Sequence, residues 1–279
     1  MNSKLSFVGL IFTVSLFTGC TTSDHAPDSI IHNNFNSTLW IQTASEYKAN
    51  SIQAFNSAAA HLEQAKEDSS WTAMLEQEDD FSTLPAAVIL DIDETVLDNS
   101  PYEAHGILEG SEFTEPSWDK WVAIKSAAAV PGAVEFINKA IALDIEVVYV
   151  TNRECMLREG SADTCPQEQD TIDNLAKVGI KNTAKTHIFL KSEKPAWTSE
   201  KESRRQEIAK QYRVIMLLGD DLGDFLPGVK NNTTPQERDL LVNQYQDHWG
   251  TKWFSLANPT YGSWRNVLEE PKSQYLRGY

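Results

Sequence analysis

"AAVILDIDETVLDNS", residues 86–100, decides the fold of this chain. Five apolar residues, Ala86–Leu90, run straight into Asp91, Asp93 and Glu94, with Asp98 close behind. An apolar run of that length suits a strand buried on both faces. The carboxylates crowded after it repel one another, which calls for a compensating cation. Asp91 and Asp93 are two apart on an extended segment, so their side chains point the same way. Together they make the start of a hard oxygen site. Mg²⁺ favours such a site, with water and substrate phosphate completing the shell.

Three more short apolar runs follow: Ile145–Val150, His187–Leu190 and Val214–Leu218. Helical patterns lie between them, at Gly132–Leu143, Gln167–Val178 and Ser199–Tyr212. Strands alternating with helices predict an α/β fold, a Rossmann-like parallel sheet flanked by helices. Upstream, Leu39, Tyr47, Ala54, Phe55, Ala58 and Leu62 recur at helical spacing, which predicts helix from Thr38 to Gln77, with a break at "SSW" near Ser69, within an N-terminal helical segment, 37–84. In open α/β sheets, ligands bind beyond the carboxyl ends of the strands. Asp91 and Asp93 follow the first run, and Thr151-Asn152-Arg153 the second. Lys191, Lys194 and Lys201 come after the third, and Gly219-Asp220-Asp221-Leu222-Gly223-Asp224 after the fourth. Acids, a hydroxyl and cations therefore converge on one sheet edge. No segment repeats, and no glycine-rich Rossmann or Walker loop occurs.

This set suits phosphoryl transfer. Asp91 is placed to attack phosphorus and form an aspartyl-phosphate. Asp93 is placed to protonate the leaving oxygen, then to take a proton from water. Thr151 and Lys201 can hold the phosphoryl oxygens, and Asp220 joins the metal site. An acidic turn that merely solvates a strand end is the simpler account of "DIDET". The ordered succession of "TNR", a lysine and "GDDLGDF" argues against it.

The chain has 279 residues, 41% of them hydrophobic, and a formal net charge of -16. That is enough for one large domain, 37–279, with a real core. The acidity excludes a nucleic-acid polymer as partner but not a small phosphorylated ligand. At the N-terminus, Lys4 precedes an apolar stretch, Leu5–Phe17, and then Thr18-Gly19-Cys20. This reads as a signal peptide, 1–19, too short to span a membrane comfortably. Cys20 after Gly19 resembles a lipobox cysteine, which would anchor the chain to a membrane by lipid. An ordinary signal peptide with a chance cysteine is the alternative. Thr21, rather than Asp, points to the outer membrane of a bacterial cell envelope. Residues 20–36 read as a flexible tether. In an exported chain Cys155 and Cys165 would pair as a disulfide, with two free thiols as the alternative.

"DIDETVLDNSPY", "VVYVTNR", Lys201 and "GDDLGDF" resemble the four motifs of the haloacid dehalogenase superfamily of phosphohydrolases. "LWIQTASEY", "WDKWVAIKSAAAVPGAVEF" and "ANPTYGSW" narrow the resemblance to the bacterial class C acid phosphatases, the 5′-nucleotidase-like lipoprotein "e" group. The likeness covers nearly the whole mature chain. It implies Asp91 as nucleophile and Asp93 as acid/base, the latter also a metal ligand through its backbone carbonyl. It places Thr151 on the phosphoryl group with Asn152 nearby, and Lys201 as the third-motif cation. Asp220 would bind Mg²⁺, or another divalent cation, directly, and Asp224 through a water. Where the group often has Asn, this chain has Asp221, an extra acid that could tune the ion preference. Lys191 and Lys194 are expected to be solvated.

A small helical cap is expected at about 99–130, carrying Tyr102, Trp118 and Trp121. These tryptophans either pack the cap onto the core or stack on a base or aromatic leaving group. The resemblance favours Trp121 and Tyr261 over Trp118 as substrate walls. The Cys155–Cys165 segment is expected to be a stapled surface loop, with shaping of substrate access as the alternative. The six histidines show no ligand spacing. The expected function is a metal-dependent acid phosphatase of small phosphomonoesters, nucleoside monophosphates first. Sugar phosphates or phosphoprotein are alternative substrates, and a non-catalytic binding or storage protein on the same fold is an alternative of another class. The oligomeric state stays open, a homodimer among the options.

Overall fold

The structure is a computed structural model that describes residues 34–77, 80–181 and 183–279. The expected signal peptide (1–19), lipidated Cys20 and most of the tether lie outside the described residues. In chain order the elements are α1 (Phe35–Thr43), α2 (Ser45–Glu67), β1 (Ala86–Leu90), β2 (Leu97–Asp98), α3 (Ser100–Glu109), α4 (Glu115–Ile124), β3 (Ala128–Ala129), α5 (Ala133–Ala142), β4 (Glu146–Glu154), α6 (Pro166–Lys177), β5 (Ile188–Lys191), α7 (Glu202–Ala209), β6 (Arg213–Gly219), α8 (Pro235–Gln244), β7 (Trp253–Ser255) and α9 (Ser263–Asn266).

The main sheet runs β5-β4-β1-β6-β7, and every neighbouring pair is parallel. β1 lies at the centre, buried on both faces, which is why its five residues are all apolar. Ala86, Val88 and Leu90 face one core layer with Phe55, Leu62 and Phe136. Ala87 and Ile89 face the other, with Ile208, Phe225 and Trp253. The β1/β6 register shifts between Ala87 and Val88, and Ile215 and Met216 consequently lie in the same layer.

The boundaries differ from expectation at physically clear points. Helix stops at Glu67, at the break expected near Ser69, and does not resume towards Gln77: Asp68 accepts from the backbone and hydroxyl of Ser70 and turns the chain. Trp71 and Ala73 then run beside β6, bonding the carbonyls of Ile215 and Val214. Phe35 and Asn36, placed in the tether by composition, form the first turn of α1. β4 continues through Thr151–Glu154, so "TNR" is the end of a strand rather than the loop after it. The cap is helical as expected: α3 and α4 sit on a stem made by β2 and β3, which pair antiparallel.

Candidate active site

The four strand ends place the site. After β1 the chain makes a tight reversal in which Val96 and Leu97 both donate to the Ile92 carbonyl. Glu94 takes a left-handed φ of 59° there, and its side chain accepts from the Asn99 backbone. The reversal puts Asp91 and Asp93 at the mouth and sends β2 out toward the cap. At the end of β6, Gly219 is required: a Cβ would lie 2.1 Å from the Asp224 carboxylate. Only a residue without a side chain lets the following turn fold Asp224 back over the strand.

Asp91, Asp220 and Asp224 each offer an oxygen within 4.8 Å of the others, the one such group of three among the described residues. Lys201, at the head of α7, lies 2.6 Å from Asp91 Oδ1 and 2.6 Å from Asp224 Oδ1. All but Asp220 are buried. Burial pushes Asp91 up to about 6, against the pull of Lys201. Burial, then Asp91 and Asp224, push Asp220 well above the usual carboxylate range. Burial disfavours the Lys201 ammonium, but Asp224 and Asp91 outweigh it and its pKa is raised. The cluster therefore holds more negative charge than one lysine balances. A divalent cation fits it, in donor type and in charge.

Asp93 is held differently. Its carboxylate accepts from Arg153 (Nη2 to Oδ1 2.8 Å), from Asn99 Nδ2 at 2.9 Å and from Thr151 Oγ1 at 3.3 Å. Its side chain thus lies outside the three-carboxylate group, and only its backbone carbonyl remains for the metal role expected of it. Asn99 in turn accepts from the Trp121 indole N–H at 2.8 Å. Trp121, expected as a substrate wall, is turned inward and packs against the main core. It forms a chain of support, Trp121 to Asn99 to Asp93. Asn152 is exposed, but its amide is engaged: it donates to the Ser199 carbonyl and accepts from Arg204. That ties it to the Lys201 loop rather than leaving it free for phosphate.

Asp221 points away from the acids. It accepts from the backbone and hydroxyl of Ser263 at 2.5 and 2.7 Å, and from Gly223. The extra acid thus fastens the loop bearing Tyr261, and it does not join the metal group. Asn258 of that loop donates to Asp220 at 2.8 Å, and Tyr261 sits half-buried beside it. Lys191 pairs with Glu154, and Lys194 lies over the Trp197 ring, so neither competes with Lys201. Cys155 and Cys165 form a disulfide with Cα atoms 4.8 Å apart.

Sequence reasoning passed over four supporting residues. Asn99 and Arg153 clamp Asp93. Arg204 bonds the Thr151 carbonyl at 2.5 Å, and Arg205 bonds the Asp224 carbonyl at 2.9 Å. Both α7 arginines are fully buried. On the cap, Tyr102 and Trp118 meet edge to face, with centroids 5.0 Å apart and Phe113 beside them. Trp118 also borders a small cavity with Arg153 and Glu154, so this ring cluster adjoins the Asp93 clamp.

The family model described as HAD superfamily, subfamily IIIB (Acid phosphatase) matches residues 20–264. Among solved structures, the class C acid phosphatase from Bacillus anthracis is 29% identical, with a TM-score of 0.68 over 84% of this chain and 87% of that one. Its structure with tungstate bound gives a TM-score of 0.67 at 29% identity, over 86% and 90%. The stem 31 kDa glycoprotein of Glycine max is 29% identical over 179 residues, 62% of this chain and 58% of that protein. Acid phosphatase 1 of Solanum lycopersicum is 26% identical over 140 residues, 50% of this chain and 51% of that protein. The chain thus spans a little over half the length of these curated relatives. With a match of this extent and the strand-end acids in their expected order, the chain belongs to subfamily IIIB of the HAD superfamily, the acid phosphatases.

Proposed function

We propose that this protein is a metal-dependent acid phosphatase that hydrolyses small phosphomonoesters, nucleoside monophosphates foremost, through an aspartyl-phosphate on Asp91. The observation that carries this is Asp91 held at 2.6 Å by Lys201 beside Asp220 and Asp224 at one sheet edge. Asp91 attacks phosphorus, and the ester oxygen leaves with a proton from Asp93. Water then attacks the phosphoryl group, gives its proton to Asp93, and frees Asp91 with inorganic phosphate. Lys201 orients Asp91 and balances charge on the phosphoryl oxygens, as does the Thr151 hydroxyl. A divalent cation, Mg²⁺ or another, held by Asp91, Asp220 and Asp224, would supply the remaining positive charge against the phosphate. The Bacillus anthracis relative has been solved with tungstate bound, and an oxyanion ligand in a relative is in keeping with a phosphate ester as substrate here.

The nucleotide preference is supported by the rings on the cap and by Tyr261, which offer flat surfaces for a base. Residues 1–20 support export with a lipid anchor on Cys20, in the envelope of a bacterium. Outside the cytoplasm such an enzyme would turn nucleotides, which cross membranes poorly, into nucleosides. The test is phosphate release by the chain from Cys20 onward, with Mg²⁺ or with EDTA, from acid to neutral pH. The panel holds 5′- and 3′-nucleoside monophosphates, glycerol phosphate, a sugar phosphate and phosphotyrosine. EDTA is expected to abolish turnover, and nucleoside monophosphates are expected to rank first. Turnover that survives EDTA would sink the metal role, and a sugar phosphate ranking first would sink the substrate.

The support of Asp93 gives a second expected outcome. Trp121→Phe keeps the ring and deletes the N–H to Asn99. The orphaned amide then loosens Asp93, and kcat falls about tenfold while KM moves little. A change confined to KM would show that Trp121 touches substrate after all.

A further inference from the structure

The loop closed by the Cys155–Cys165 disulfide carries Arg158, and Arg158 reaches the cap. Its Nε and Nη2 both meet the Asp119 carboxylate at 2.7 Å, a two-pronged pairing on α4. Its Nη1 meets Asp170 of α6 at 2.6 Å. Gln167 of α6 donates to the same Asp119 at 2.7 Å and accepts from the Met156 backbone. At the far end of α4, Lys125 pairs with Asp170 at 3.2 Å and Asp173 at 3.0 Å. Hydrogen bonds from Arg158 hold Asp119 below the usual carboxylate range.

This polar web matters because α4 has little else. Of its ten residues only Val122 is buried. The stem beneath the cap is two strands of two residues each. Yet α4 carries Trp118 and Trp121 on either side of Asp119, one in the ring cluster and one on the Asn99 relay. With only Val122 buried and Trp121 packed against the core, the apolar footing of α4 is narrow, and its ionic contacts complete its placement. The disulfide shortens the excursion that presents Arg158, so less entropy is lost in placing the guanidinium. The stapled surface loop therefore also carries the contact to the cap.

We propose that Arg158 is a positioning residue that latches cap helix α4 onto α6, and so sets the affinity for the leaving group of the substrate. This rests on the phosphomonoesterase function above, with the cap rings meeting that leaving group. A lysine cannot reproduce the two-pronged contact, which is why the position calls for arginine.

The test compares the wild-type chain with Arg158→Gln, Arg158→Lys and the paired Cys155→Ser, Cys165→Ser variant. Amide exchange over 115–124 and over 86–90 is read alongside KM and kcat for a nucleoside 5′-monophosphate and for glycerol phosphate. In Arg158→Gln, exchange over 115–124 is expected to quicken by about tenfold or more while 86–90 stays slow. KM for the nucleotide is expected to rise about tenfold while KM for glycerol phosphate holds, and any fall in kcat passed on through Trp121 and Asn99 is expected to be equal for the two substrates. Arg158→Lys recovers part of the loss, and the cysteine pair moves in the same direction as Arg158→Gln. Unchanged exchange in a folded Arg158→Gln protein would overturn the latch. Faster exchange with no change in nucleotide KM would overturn its link to substrate. A wild-type enzyme that treats both substrates alike sinks the nucleotide preference instead, and the exchange rates still decide the latch.

Discussion

Asp91→Asn is expected to bring phosphate release down to background, a loss of about 10⁴-fold or more in kcat. An amide oxygen of the same shape accepts the same hydrogen bond from Lys201 but does not displace an alkoxide from phosphorus. The substitution should leave the fold intact, because nothing in its packing changes. It should even stabilise the protein in EDTA at neutral pH. The Asp91 carboxyl is raised to about 6, by burial first. An acid whose folded pKa lies above its unfolded value destabilises the fold once pH exceeds both values. Below the unfolded value the group is protonated in either state and the penalty is absent. Asp91→Asn removes that penalty, which is on the order of 3 kcal/mol at pH well above 6 and vanishes in acid. Urea unfolding in EDTA at neutral and at acid pH measures it. Phosphate release near the wild-type rate would end the nucleophile assignment. An equal stability gap at both pH values would show that Asp91 is not the source of the penalty.

Lys201→Met carries the second large effect. The methionine fills the same volume, so packing survives while the charge goes. Asp91 and Asp224, both buried and each 2.6 Å from the missing ammonium, are left without their cation. Removing one partner of a buried ionic group typically costs about 3–5 kcal/mol, and that is the loss expected in EDTA. Added Mg²⁺ should return a large share of it, since a divalent ion serves the same carboxylates. Turnover should not return with it. In the proposed mechanism Lys201 also balances charge on the phosphoryl oxygens, and losing it is expected to cost about 10²–10³ in kcat. The readouts are unfolding midpoints with and without Mg²⁺, beside phosphate release. A variant as stable as wild type in EDTA would show that the two carboxylates are not ionised together.

The strands and the acids were legible in sequence for one physical reason. A strand buried on both faces needs an unbroken apolar run, and Asp91, Asp93 and Asp220 stand where such runs stop. Lys201 was legible by its order along the chain. The supports were not. Arg204 and Arg205 sit in a polar stretch that reads as a solvated helix face, yet both are fully buried, Arg204 against the Thr151 carbonyl of β4 and Arg205 against Glu76 and the Asp224 carbonyl of the turn after β6. Trp121 announced an aromatic on the cap, but only its indole direction shows that it serves Asn99. β7 was missed because three residues give no pattern to count. Arg158 carries no signal in the sequence, because its partner Asp119 lies 39 residues away.

The two outermost strands of the main sheet are short, four residues in β5 and three in β7. Each rim therefore shows only a brief row of unpaired backbone groups, too small a template for another chain to add itself as a strand. Two copies of this protein would have to meet through side chains, on helix faces or the cap, rather than by extending the sheet. The same brevity protects a newly made chain while it folds among concentrated neighbours, when open sheet rims invite aggregation.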